Sequence, residues 1–164
     1  MSADKQLPRV SLYVDVQNIY YTTRDNFRCH FDYNAFWAMA TKGRQLVNAY
    51  AYAIHRADEK QIQFQNILRA IGFTVKLKPY IQRSDGSAKG DWDVGITLDV
   101  MEGAEQSDVI VLASGDGDFA MLLERARERH QVSSEVYGVA SLTAQSLIQS
   151  ADKFIAIEND LLLR

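Results

Sequence analysis

Apolar residues along this chain fall into short continuous runs, separated by stretches in which they recur every three or four positions. The first run, RVSLYVDV, is β-branched and aromatic with no helical period, and polar residues follow at once. It predicts a buried strand ending near Asp15. DYNAFWAMATKG predicts a helix with Asp32 as N-cap, Phe36, Trp37 and Met39 on the helical period, and Gly43 as the stop. LVNAYAYAIH reads as a strand. DEKQIQFQNILRAIG reads as a helix with acids in its first turn, an apolar stripe of Ile62, Ile67, Leu68 and Ile71, and Gly72 at its C-cap. FTVKLKPY is the next strand.

IQRSDGSAKG carries turn residues throughout and no period, so it reads as an exposed loop. DWDVGITLDVMEGA predicts a helix starting near Asp91 to Asp93 and stopping around Gly103. VIVLAS is a continuous apolar strand, GDGD a turn, and FAMLLERARERH an amphipathic helix whose Arg125, Arg127, Arg129 and His130 suit the negative end of its dipole. VSSEVYGV, LTAQSLIQSAD, FIAI and ENDLLLR continue as strand, helix, strand and a short final helix. Strands alternating with helices over the whole length predict an α/β fold, a three-layer α/β/α sandwich around a central, mainly parallel sheet. One domain over residues 1–164 is expected from the length. Neither G-x-G-x-x-G after the first strand nor G-x-x-x-x-G-K-[ST] occurs, so the dinucleotide-binding and P-loop versions of this architecture are unsupported.

Composition narrows the class. Hydrophobic residues at 47% and charged residues at 24% are normal for a soluble globular chain and exclude the disordered class. The N-terminus lacks the pattern of a secretory signal, and no apolar run reaches membrane-spanning length, so a cytoplasmic protein that spans no membrane is expected. A single cysteine, Cys29, has no disulfide partner and reads as a half-buried small hydrophobe. A formal net charge of −3 argues against sequence-independent binding of duplex DNA. Between Phe73 and Gly90, however, Lys76, Lys78, Arg83 and Lys89 face one acid, Asp85, which is either a local cationic surface or an ordinary solvated edge.

The candidate chemistry lies at strand ends. In open α/β sheets ligands bind beyond the carboxyl ends of the strands, where strand order reverses. Asp15 follows SLYV and Asp116 follows VIVLASG, so the two carboxylates meet if these strands are central neighbours. Asp118 shares the turn with Asp116, and Asp93 opens the helix leading into the second strand. Crowded carboxylates repel unless a hard cation joins them, which suggests Mg2+ or Mn2+ and metal-assisted phosphodiester hydrolysis. Asp99, six residues after Asp93, falls about two-thirds of a turn out of phase with it and ranks lower. Each acid also has a structural use: Asp93 and Asp118 as helix caps, Asp116 as a turn residue, Asp15 as a buried hydrogen-bonded side chain. An EF-hand fails because the twelfth position from Asp116 is Arg127. His30, His55 and His130 lack zinc-ligand spacing, and no G-x-S-x-G elbow exists.

Three motifs, Asp15-Val16-Gln17-Asn18, Lys89-Gly90-Asp91-Trp92-Asp93-Val94 with Asp99 beyond, and Ser114-Gly115-Asp116-Gly117-Asp118-Phe119, resemble in order and spacing the LabA-like branch of the NYN domains, within the PIN-like superfamily of metal-dependent nucleases. The resemblance covers nearly the whole chain. It implies a Rossmannoid fold and RNA cleavage with Mg2+ or Mn2+ held by Asp15, Asp93, Asp116 and Asp118. It further implies that Asn18 orients the first Asp or contacts a phosphate and that Ser114 fixes the site. Val16 stands where such proteins often have Gly, a side chain expected to narrow the approach to Asp15. The leading expectation is a ribonuclease acting on single-stranded or structured RNA, with Lys89, Arg83, Lys78 and Arg24 or Arg28 guiding the backbone and Tyr20 and Tyr21 stacking on unpaired bases. A regulatory or RNA-binding module with a degenerate site, forming homo-oligomers through its apolar C-terminus IENDLLLR, is the alternative. A phosphatase of small esters is a third.

Overall fold

The computed structural model describes residues 6–55, 58–79, 81–82, 88–89 and 91–164. Strands β1 (Arg9–Asp15), β3 (Gln45–His55), β4 (Thr74–Pro79), β7 (Val109–Ala113), β8 (Ser133–Gly138) and β9 (Lys153–Ala156) form one six-stranded sheet in the order β4-β3-β1-β7-β8-β9. Every pairing in it is parallel. The chain builds outward from β1 in one direction, then returns to build outward from β7 in the other. The strand order therefore reverses between β1 and β7, a topological switch point of the doubly wound kind. Asp15 closes the first of those strands, and the Asp116 turn follows the second.

Helices cover both faces, as the three-layer expectation requires. On one face, α1 (Val16–Phe27), α2 (Tyr33–Thr41) and α3 (Glu59–Ile71) bury Val16, Ile19, Phe36 and Leu68 against Val10, Leu12, Val14 and Ala51. On the other, α4 (Asp93–Ala104), α5 (Ala120–His130) and α6 (Gln145–Ser150) bury Ile96, Val100, Leu123 and Leu147 against Tyr13, Tyr52, Ile110 and Leu112. The pleat of β1 thus sends Val10, Leu12 and Val14 one way and Tyr13 the other. Ser11, fully buried on the second side, bonds to Ser107 Oγ at 2.8 Å, so its hydroxyl is not stranded. Gly103 lets α4 approach closely: a Cβ there would collide with the Tyr13 hydroxyl.

Asp32 caps α2 as expected, accepting from the Ala35 N–H at 3.0 Å, and Gly43 takes φ 71° beyond its end. Several elements depart from expectation. In α3, Ile62 and Ile67 are exposed, while Gln65 and Leu68 are buried and Phe64 and Ile71 half-buried. The inward stripe therefore runs 64-65-68-71, because the sheet fixes a helical phase that a count of apolar residues does not. Met39 likewise faces outward. Residues 81–90, expected as a loop, contain the paired strands β5 (Ile81–Gln82) and β6 (Ala88–Lys89). The helix expected from Leu142 splits into a 3-10 turn (Ala140–Leu142) and α6.

The expected final helix is one 3-10 turn (Asn159–Leu161) followed by β10 (Leu162–Leu163). This strand pairs antiparallel with β2 (His30–Phe31), a strand the sequence pattern does not announce. Leu161 and Leu162 are buried in the core, so this part of the C-terminus docks on its own chain, while Leu163 stays exposed. Among the described residues no helix is long and apolar enough to cross a membrane.

Candidate functional site

The site forms where β1 and β7 end. Asp15 is the last residue of β1 and is only 9% exposed. Its carboxylate accepts from Ser114 Oγ at 3.0 Å, and the same hydroxyl oxygen accepts from the Asp116 N–H at 3.2 Å. Ser114 has no exposed surface, so it acts on the shape of the site and does not reach solvent. Asn18, one turn into α1, accepts from the Gly115 N–H at 2.8 Å through its side-chain carbonyl. The start of α1 is thereby stitched to the loop after β7. Gly115 has no room for a side chain, since a Cβ would lie 2.7 Å from the Leu142 carbonyl.

That loop presents the acids. Asp116 accepts from the Asp118 N–H at 2.9 Å and so caps the short 3-10 turn Gly117–Phe119. Asp118 does not cap a helix; it points from this turn as an exposed side chain. Asp93 is the first residue of α4, and Trp92 holds the cap position. Asp93, Asp116 and Asp118 bring carboxylate oxygens within 4.8 Å of one another. Two oxygens bound to one ion at about 2.0–2.6 Å can be no more than about 4–5 Å apart, so this spacing suits a single hard cation. A set made only of carboxylates is the chemistry such a cation takes.

The electrostatics agree. Burial lifts the Asp15 carboxyl to about 6, against the pull of its hydrogen bonds from Ser114 and the Asn18 backbone and with added repulsion from Asp116 and Asp91. Asp93 is lifted to about 7, by burial first and then by Asp116, which lies close enough to share a proton with it.

Val16, expected to crowd the approach to Asp15, turns instead into the core, 7% exposed. Asp99 lies apart from the cluster. It accepts from Tyr52 Oη at 2.8 Å and Lys76 Nζ at 2.6 Å, and it ties α4 to β3 and β4. Lys78 is also committed: its amine donates to the Asp91 carbonyl at 2.9 Å and sits 4.7 Å above the Trp92 ring. Trp92 donates from Nε1 to the Ala53 carbonyl at 2.9 Å, so this clasp pins the start of α4, and Asp93 with it, to the sheet. Sequence reasoning missed the clasp, because nothing in the spacing of Lys78 and Trp92 brings them together. It also passed over Asp91, whose carboxylate accepts from the Asp93 N–H and whose charge reaches both Asp15 and Asp93. The Asp-x-Asp spacing at the helix start was the available signal. Arg83 and the Lys89 side chain lie outside the described residues. Arg24 and Arg28, at the far end of α1, line a separate hollow with Tyr20.

A doubly wound sheet with carboxylates gathered at its switch point agrees with the nuclease-like fold of the PIN-like superfamily, the class to which the family match assigns the chain. The chain belongs to the NYN domain family, whose model matches residues 9–158. It is 29% identical over 158 residues to the low amplitude and bright protein LabA of Synechococcus elongatus, covering 92% of this chain and 84% of that one. It is also similar to a crystal structure of a protein of unknown function from Vibrio parahaemolyticus, with 55% identity, 99% and 100% of the two chains covered and a TM-score of 0.93.

Proposed function

We propose that this protein is a metal-dependent ribonuclease that hydrolyses RNA phosphodiester bonds at the Asp15, Asp93, Asp116 and Asp118 site with Mg2+ or Mn2+. One observation carries the reading: three carboxylates from two separate elements converge within a single ion's reach, beside a fourth buried under them at the switch point. Membership of a nuclease superfamily supports it. Structural caps would have no need to converge.

Asp93, Asp116 and Asp118 would hold the ion from the solvent side, and Asp15 would complete the set from the strand end. When bound, such an ion polarises a phosphoryl oxygen and lowers the pKa of a coordinated water. The protein's own share is positional. Ser114 aims Asp15, Asn18 holds the Gly115 loop against α1, and the Lys78–Trp92 clasp keeps Asp93 in place. A cation held there would favour the ionised forms of Asp15 and Asp93, offsetting the burial and mutual repulsion that lift both groups. Val94, Thr97, Leu98 and Phe119 form an open groove with Asp93 and Asp118, which leaves the site accessible to a polymer.

Calorimetric titration of Mn2+ into the metal-free protein should show saturable binding that disappears in Asp116→Asn. Cleavage of single-stranded RNA in Mn2+ should fall by at least about a hundredfold in both Asp93→Asn and Asp116→Asn. Cleavage surviving both substitutions would sink the mechanism.

A further inference from the structure

The far end of α1 carries a hollow of about 700 Å3 lined by Tyr20, Arg24, Asp25, Arg28, Cys29 and His30. Its walls differ from those of the acid cluster. Arg28 closes α1 in a left-handed conformation, φ 55°, with its N–H bonded to the Arg24 carbonyl, and the reversal carries the chain back so that His30 lies beside Tyr20. The two rings face each other with centroids 6.3 Å apart and planes within 26°. A flat base stacked on both at the usual spacing of about 3.4 Å per face needs about 6.8 Å, close to this centroid separation.

Arg24 lies 5.4 Å from the Tyr20 ring centroid and 4.9 Å from that of Tyr21, and Arg28 stands exposed at the rim. The charged groups lining the hollow are Arg24, Asp25 and Arg28, with Arg24 and Asp25 paired at 3.3 Å. The balance is cationic in a chain whose net charge is −3. Aromatic faces beside cations are how proteins hold unpaired nucleotides, the ring taking the base and the guanidinium the phosphate.

Placement ties this hollow to the acids. Helix α1 starts immediately after Asp15, so at about 1.5 Å per residue Tyr20 lies about 8 Å and Arg24 about 14 Å along from it. A stacked strand advancing about 3.4 Å per nucleotide covers that in roughly two to four nucleotides. We propose that the Tyr20–His30 hollow binds one unpaired nucleotide of an RNA strand, its base between the two rings and its phosphate on Arg24 and Arg28, a few nucleotides from the bond at the acid cluster. The proposal rests on the RNA-cleaving reading of that cluster for the identity of the polymer. It makes single-stranded RNA the substrate, since a paired base cannot enter.

The test is fluorescence anisotropy of end-labelled hexauridylate on the full chain in EDTA, where nothing is cleaved. Tyr20 and Arg28 are exposed, so replacing them leaves the core alone. Tyr20→Leu should weaken binding about tenfold and Tyr20→Trp should preserve it. Arg28→Gln should weaken binding and reduce the slope of log Kd against log salt by about 0.7. A duplex RNA of equal length should compete poorly. Wild-type protein that fails to bind the strand, or Tyr20→Leu and Arg28→Gln proteins that bind as well as wild type, would overturn the proposal. Tyr20-dependent binding without any cleavage in Mn2+ would defeat the nuclease reading and leave this site standing. Asp116-dependent cleavage with Tyr20-independent binding would defeat this site alone.

Discussion

Replacing Asp15 by Asn should make the metal-free protein more stable at neutral pH. Burial lifts this carboxyl from its ordinary 3.8 to about 6 while two hydrogen bonds partly oppose the rise. The folded chain therefore holds the Asp15 proton more tightly than the unfolded chain does. Stability from this group is complete below pH 3.8 and is lost as pH climbs towards 6. At about 1.4 kcal/mol per tenfold change, the loss at pH 8 is about 3 kcal/mol, and at pH 4 it is well under about 1 kcal/mol. The group is only 9% exposed, so solvent screening takes little from this figure. Asn keeps an acceptor for the Ser114 hydroxyl but cannot ionise.

Thermal melts in EDTA should accordingly place Asp15→Asn above wild type at pH 8, by about 6–12 °C for a chain of this length, and level with it at pH 4. Mn2+ at about a thousand times Kd should reverse the order at pH 8, because wild type then gains about 4.1 kcal/mol of binding free energy, more than its deficit, while the variant gains little. A variant equally destabilised at both pH values would refute the reasoning, since it would show that Asp15 contributes packing and hydrogen bonds and stores no charge for an ion to relieve.

Two further substitutions test the frame around the site. Gly103→Ala should cost about 1–3 kcal/mol in urea unfolding despite Ala's better helix propensity, because its Cβ meets the Tyr13 hydroxyl, and adding Tyr13→Phe should recover most of the loss. Asp99→Asn should cost about 1–3 kcal/mol through its bonds to Lys76 and Tyr52 yet leave Mn2+ affinity unchanged; calorimetry showing weaker ion binding would place Asp99 in the metal set after all.

Local pattern was enough for much of this protein. The continuous apolar runs of β1 and β7 mark strands buried on both faces, and the acid closing each run marks the site, because a parallel sheet with crossover helices leaves one end of its strands for ligands. Helical phase, about two-thirds of a turn between them, likewise separates Asp99 from Asp93. Other features depend on pairs far apart in the chain. Lys78 and Trp92 meet only because β4 and α4 flank β3, and Tyr20 faces His30 only because Arg28 reverses the chain. Leu162 belongs to a strand only because β2 offers it partners. Helical phase in α3 was settled by the sheet it packs on, which chose Gln65 over Ile62. Sequence alone determined the strands of the main sheet, the longer helices and the candidate acids, since those follow from short-range periodicity and side-chain chemistry. Tertiary structure decided which carboxylates converge, how far burial lifts them and that Lys76 and Lys78 are committed to contacts within the fold, because distance and desolvation exist only once the chain has closed on itself.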